Sequence, residues 1–262
     1  MLEQELALAH ELADRAGEIA LGFYGGTFEV RHKPDATPVT EADLAIEAMV
    51  REVIAARFPG DAILGEEQGG STGEAERTWI LDPIDGTKNF AEAIPVWATL
   101  IGLQIGDRFE LGVASAAALG ERYWAVRGAG AHCNGEPIRV REAVTSLDQA
   151  FLCLTELDEL LASPLADAFL ELVRACRRTR AFGDFWGHCL VARGAVDVMV
   201  EPALSIWDYA ALVPILEEAG GRCTRLDGGA LSAVGRPGGE EQSMVSTNDS
   251  LHDEVLSRLR TG

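Results

Sequence analysis

The stretch that most constrains this chain is an apolar run that ends in acids: Thr78-Trp79-Ile80-Leu81, then Asp82-Pro83-Ile84-Asp85-Gly86-Thr87-Lys88. The apolar part has the aromatic and β-branched character of a buried strand. Pro83 fixes its own φ and donates no N–H, so the ladder is expected to stop there. Asp82 then stands at the strand's C-terminal edge, where α/β sheets bind their ligands. In that position Asp82, the Ile84 carbonyl and Asp85 can point to one locus, and hard oxygens are the donors that Mg²⁺ takes. The backbone N–H groups of Gly86 and Thr87 open a helix and suit an anion. Turn formation beside Pro83 is the ordinary alternative for the two acids.

Two helices are expected before this strand. Residues 2–24 carry Leu6, Leu12, Ala16, Ile19 and Phe23 at helical spacing and stop at Gly25-Gly26. After the turn-rich KPDATPVTEAD, Thr40 and Asp43 have capping-box spacing, and Ile46, Met49, Val50, Val53, Ile54 and Phe58 mark a second helix halted by Pro59-Gly60. Residues 62–64 read as a short strand and GEEQGGSTGEAER as a mobile loop. Residues 97–105, 109–116 and 121–126 form a meander, with turn signals at Gly106-Asp107 and Asn134-Gly135. Beyond residue 150, strands at 150–154, 179–182, 196–201, 222–226 and 243–246 alternate with helices at 164–176, 184–193, 206–219 and 249–260. Pro214 costs about 3 kcal/mol inside a straight helix, so the 206–219 helix should kink. This order predicts a layered α/β sandwich of two sub-domains, residues 1–145 and 146–262.

The formal net charge is −20, with 42 acidic against 22 basic residues, which argues against nucleic acid or an anionic membrane as partner. The start, MLEQELALAH, lacks the basic and apolar regions of a signal peptide, and no apolar run approaches the roughly 20 residues that span a bilayer. A cytoplasmic location is expected. The five cysteines form no CxxC pair and read as reduced, mostly buried thiols.

Three further acidic features accompany Asp82 and Asp85: Gly65-Glu66-Glu67 at a strand end, Asp208 in Ile206-Trp207-Asp208, and Asp43. Helix-dipole complementation accounts for a lone Asp43 or Asp208, and loop solvation for Glu66 and Glu67. Taken together, Glu66 and Asp208 could complete a set of carboxylates for two metals about 3.5–4 Å apart, a site suited to a phosphate ester.

Four motifs in order, PVTEADLAIE, GEE, WILDPIDGTKNF and WDYAALVPILEEAGG, resemble the inositol monophosphatase family of Mg²⁺-dependent, lithium-sensitive phosphatases. The resemblance implies an α/β/α/β/α sandwich, a homodimer, a small phosphate monoester as substrate and about two or three Mg²⁺ per site. It places metal ligands on Glu66, Asp82, the Ile84 carbonyl, Asp85 and Asp208, and the pair that orients the attacking water on Asp43 and Thr87. Gly86 and Thr87 fall at the phosphate. None of the five histidines lies in these motifs. Lys88 is open between the phosphate and solvent.

KPDATPVTEADLAIE, GEEQGGST, RAFGDFWGHCLVARGAVDVMVEPALSIWDYAAL and STNDSLHDEVLSRL look most like the family's bacterial histidinol-phosphatase branch. Histidinol phosphate has a cationic leaving group, and carboxylates away from the metals would favour it. Asp184, where relatives contact the leaving group, and Glu201, where they contact a substrate hydroxyl, supply two. Asn248 is placed at the imidazole. Capping of the 184–193 helix is the ordinary alternative for Asp184. An inositol-1-monophosphatase is the second enzymatic reading. A non-catalytic sensor of metal or phosphate is the third, and the intact acidic set argues against it.

Overall fold

Apolar residues at helical spacing make the first helix, α1 (Glu3–Phe23), which buries Leu8, Leu12, Ala16 and Ala20 along one face. In this computed structural model the described residues are 2–26, 30–32, 38–70, 75–231 and 242–259. Most of the KPDATP segment, and part of the GEEQGGSTGEAER loop, lie outside them. A small hairpin, β1 (Val30–His32) and β2 (Pro38–Thr40), leads into α2 (Glu41–Arg57). Then come β3 (Ala62–Gly65), β4 (Arg77–Asp85) and the five-residue α3 (Thr87–Ala91). The meander follows as β5 (Ala98–Ile105), β6 (Arg108–Ala116), β7 (Glu121–Val126), β8 (Ala131–Cys133) and β9 (Glu136–Ile138). Asn134 and Gly135 turn the last hairpin with φ of 51° and 86°, as an Asn-Gly pair should.

The second half contains β10 (Phe151–Leu154), α4 (Leu157–Ala162), α5 (Ala166–Ala175), β11 (Arg178–Ala181) and α6 (Asp184–Ala192). It continues through β12 (Val198–Leu204), α7 (Ile206–Tyr209), α8 (Leu212–Glu218), β13 (Arg222–Thr224), β14 (Gln242–Thr247) and α9 (His252–Leu259). Helix α4 was not expected. The expected 206–219 helix is broken into α7 and α8, because Pro214 cannot donate to Ala210 and sits instead in the first turn of α8, where no intrahelical donor is needed.

One sheet runs β3-β4-β5-β6-β7-β8-β9 and the other β11-β10-β12-β14-β13. Strand alternation makes five layers of them. Trp79 and Leu81 of β4 pack with α1 and α2, whereas Ile80 faces a core shared with α6, α8 and the second sheet. In that second sheet Cys153 and Met199 face the shared core, and Leu152, Leu154, Val198 and Val200 face α5 and α9. Both faces of each sheet are therefore covered, which is why these strands read as unbroken apolar runs. The architecture is the expected α/β/α/β/α sandwich. All five cysteines are free thiols, and three are buried. No described helix is long and apolar enough to cross a membrane.

Strand β4 does not stop at Pro83. Pairing with β5 lapses after Asp82↔Leu100 and resumes at Asp85↔Ala98. On the other side, β3 pairs only as far as Leu81. Pro83 thus occupies a bulge where no donor is required, and its carbonyl accepts the Thr99 hydroxyl at 2.8 Å.

Candidate active site

On a regular strand, residues three apart point to opposite faces. The bulge at Pro83 removes that opposition and brings Asp82 and Asp85 to one place. Asp208 joins them from α7: one oxygen from each of the three carboxylates lies within 4.8 Å of the others. Asp208 is also the acid of a capping box with Ser205, whose N–H donates to Oδ2 at 2.6 Å. Asp43 repeats this arrangement at the start of α2: Thr40 donates to its Oδ2 through the backbone N–H (2.8 Å) and the hydroxyl (2.6 Å). Capping explains only one oxygen of Asp43. Its Oδ1 is buried without a hydrogen-bond partner, as is Oδ1 of Asp82.

Such orphaned anionic oxygens are costly in a protein interior. Burial, followed by the charges of Glu66, Asp85 and Asp208, raises the Asp82 carboxyl well above its ordinary range. Burial with Asp184 and Asp208 does the same to Asp85, and burial with Glu66 to Asp208. Asp43 is pushed up to about 6, chiefly by burial. An all-oxygen set of crowded, under-partnered carboxylates fits a hard divalent cation, which would remove the repulsion and supply the missing partner.

Glu66 lines the same cavity but lies outside the tight three-acid cluster. Residues 67–69 of its loop, in the segment 65–77 that the sequence marks as mobile, are hydrogen-bonded to α2. Glu47, fully buried on α2, accepts the N–H groups of Glu67 (2.8 Å) and Gln68 (3.0 Å) and the Arg51 Nε (2.7 Å). The Arg51 guanidinium also reaches the Gly69 carbonyl. A Cβ at Gly65 would strike the Glu47 carboxylate, so a larger residue there has to displace a group held by three hydrogen bonds. Sequence reasoning missed Glu47; the available signal was an acid one helical turn after Asp43.

Gly86 adopts φ 81°, a left-handed conformation that admits few residues besides glycine, and so turns the chain from β4 into α3. The Thr87 hydroxyl donates to the Ile84 carbonyl at 2.9 Å, leaving its lone pairs free to accept. Lys88 is paired with Glu156 at 3.0 Å. Asp184 is not the cap of α6: Gly183 occupies that position, and Asp184 Oδ2 accepts the Asn89 amide at 2.7 Å. Burial and the charges of Glu201 and Glu156 push Asp184 up to about 7. The Phe185 N–H donates to Asp85 Oδ2 at 2.9 Å, tying α6 to the cluster.

Glu66, Asp82, Ile84, Asp85, Gly86, Thr87, Asp184, Glu201 and Asp208 all line one cavity of about 410 Å³. Asp43 is fully buried, is not among the lining residues, and lies close enough for its charge to act on Asp82. Asn248 is a correction: it is not on the wall, and its amide donates to the carbonyls of Arg141 (2.9 Å) and Val144 (2.8 Å), which exhausts its donors. A larger hollow of about 630 Å³ lies between α1 and the β6–β7 region, beside His10 and Trp124; among the described residues its acids do not converge as a metal-type cluster.

The model of the inositol monophosphatase family matches residues 1–261. The chain belongs to this family. Among relatives, it is 46% identical to a histidinol-phosphatase of Mycobacterium tuberculosis, covering 100% of both chains. It is 42% identical to a histidinol-phosphatase of Streptomyces coelicolor, over 97% of this chain and 96% of that one. Among solved structures, an inositol monophosphatase from Zymomonas mobilis superposes with a TM-score of 0.86 at 32% identity, covering 99% of this chain and 98% of the other. As an inositol monophosphatase family member, the chain carries its acidic cluster where the DPIDGT and WDYA motifs meet in space.

Proposed function

We propose that this protein is a Mg²⁺-dependent phosphomonoesterase that hydrolyses L-histidinol phosphate to L-histidinol and phosphate, serving histidine biosynthesis. The observation that carries the substrate is a second acidic pair on the cavity wall, Asp184 and Glu201, beside the metal-type cluster of Asp82, Asp85 and Asp208. The likeness to two histidinol-phosphatases supports the same reading.

Glu66, Asp82, Asp85, Asp208 and the Ile84 carbonyl would hold the cations, two or three in number on the family pattern. When bound, they supply positive charge to the phosphoryl oxygens and acidify a water. Thr87, whose hydroxyl donates its hydrogen bond to the Ile84 carbonyl, accepts from that water and orients it, with Asp43, buried close to Asp82, as the second member of the pair. The water contributes the oxygen that phosphorus gains, the P–O ester bond breaks, and the leaving alkoxide takes up the proton. The backbone N–H groups of Gly86 and Thr87 hold the phosphate, and Asp184 and Glu201 face the cationic leaving group. The three acids nearest the reaction are spread over both halves of the chain, so both proposed sub-domains, 1–145 and 146–262, contribute to the substrate cavity. A homodimer follows from the family pattern and is read by light scattering.

The test is phosphate release from histidinol phosphate, inositol 1-phosphate, 3′-phosphoadenosine 5′-phosphate and fructose bisphosphate, each with Mg²⁺ and with chelator. Asp184→Asn is expected to lower kcat/KM for histidinol phosphate by about 10–100-fold, the worth of a charge-assisted contact, and for inositol 1-phosphate by less than about 3-fold. Equal losses on both substrates remove Asp184 from leaving-group recognition and favour the inositol-1-monophosphatase reading.

A further inference from the structure

The family motifs leave His188 without a role, yet its side chain is fully buried and ends against Glu201, a residue of the cavity wall. It lies on α6, one turn after Asp184. Its Nε2 is 3.1 Å from Glu201 Oε2, and its Nδ1 is 2.7 Å from the Ser246 hydroxyl on β14. A carboxylate oxygen accepts, so Nε2 is the donor of the first bond, and the Ser246 hydroxyl pairs with Nδ1. The other oxygen of Glu201, Oε1, accepts the Thr155 hydroxyl at 3.1 Å. Both oxygens of this cavity carboxylate are therefore anchored, one by the residue that follows β10 and the other from α6, by groups that are themselves buried.

We infer that His188 is a positioning residue for leaving-group recognition, holding Glu201 turned toward the amine-bearing part of the substrate. A free glutamate has a soft terminal torsion and would spread its charge over many orientations. The chain Ser246 to His188 to Glu201, closed by Thr155, confines it to one. The ordinary explanation for His188 is a satisfied core histidine. That explanation accounts for its burial, but it does not predict that the ring's effect should pass wholly through Glu201. The inference rests on the histidinol phosphate reading for the identity of the amine, and on geometry alone for the coupling.

A double-mutant cycle separates the two. His188→Asn keeps reach to Ser246 but is too short for Glu201; His188→Gln restores a donor near the Nε2 position. Under saturating Mg²⁺, His188→Asn is expected to raise KM for histidinol phosphate about 10-fold with kcat changed less than about 3-fold, since the leaving group is bound alike in ground and transition states. His188→Gln should return KM to within about 3-fold of the wild type. In a Glu201→Gln background, His188→Asn should add less than about 2-fold. An unchanged KM, or full multiplication of the two effects, overturns the inference. Ser246→Ala serves should His188→Asn fail to fold: its effect on KM must likewise vanish in the Glu201→Gln background, and persistence overturns the inference. If the wild type releases no phosphate from histidinol phosphate, the substrate reading fails instead, and the same cycle on whichever phosphate it does hydrolyse still decides the role of His188.

Discussion

Replacing Asp82 by asparagine should make the metal-free protein more stable and the enzyme inactive. Asp82, Asp85 and Asp208 have carboxylate oxygens within 4.8 Å of one another. At an effective dielectric of about 20, each like-charge pair at that distance costs about 3 kcal/mol. Asp82 takes part in two such pairs, and its Oδ1 has no hydrogen-bond partner to offset the cost. Part of the repulsion is already relieved by protonation, since burial and its acidic neighbours raise the Asp82 carboxyl well above 3.8. The net gain on substitution is therefore about 1–3 kcal/mol, or roughly 2–6 °C in Tm for a chain of this size. The sign with pH follows from linkage. Between its ordinary and raised values the native carboxyl binds more protons than the unfolded one, so the wild type loses stability as pH rises through that interval. The advantage of Asp82→Asn should be smaller at pH 5 than at pH 8. Scanning calorimetry in chelator at both pH values reads it. Mg²⁺ should reverse the order: at about 100 times Kd it stabilises the wild type by about 2.7 kcal/mol, and the variant by less. Turnover should fall at least about 100-fold, the loss of several kcal/mol of charge stabilisation. If metal-free Asp82→Asn melts at or below the wild type at pH 8, or Mg²⁺ stabilises both equally, the carboxylates are not a repelling cation site.

Gly65→Ala presses a methyl group onto the Glu47 carboxylate and displaces the loop carrying Glu66. It should raise the Mg²⁺ concentration for half-maximal activity by about 10-fold or more, with a matching loss in calorimetric Mg²⁺ titration; unchanged Mg²⁺ affinity would separate Glu66 from the metal. Thr87→Val removes the hydroxyl that bonds Ile84 and, by the proposed mechanism, orients the water. It should lower kcat by about 100-fold or more while KM changes little; an equal rise in KM would assign Thr87 to substrate binding instead.

What could be read from the sequence was local. The capping box at Thr40 and Asp43, the Asn134-Gly135 turn and the strand 79–81 depend on residues within one turn or one pleat, and all are present. The DPID segment announced two carboxylates near a strand edge because the chemistry of Pro, Asp and Gly in succession is local too. How it achieves this was not legible: β4 runs on through Pro83, and the proline is tolerated because β3 has ended on one side and β4 itself bulges out of its pairing with β5 on the other. The same limit explains Asn248, which the sequence set at the substrate and the fold spends on two loop carbonyls. It also explains Glu47, an unremarkable helical acid until the chain brings Glu67 and Gln68 against it. The sequence alone determined which elements form and which acids are available, since propensity, capping and periodicity act over a few residues. Only the tertiary structure decided which of those acids meet, because contacts such as Asp85 to Phe185 join residues a hundred positions apart and depend on how whole layers pack.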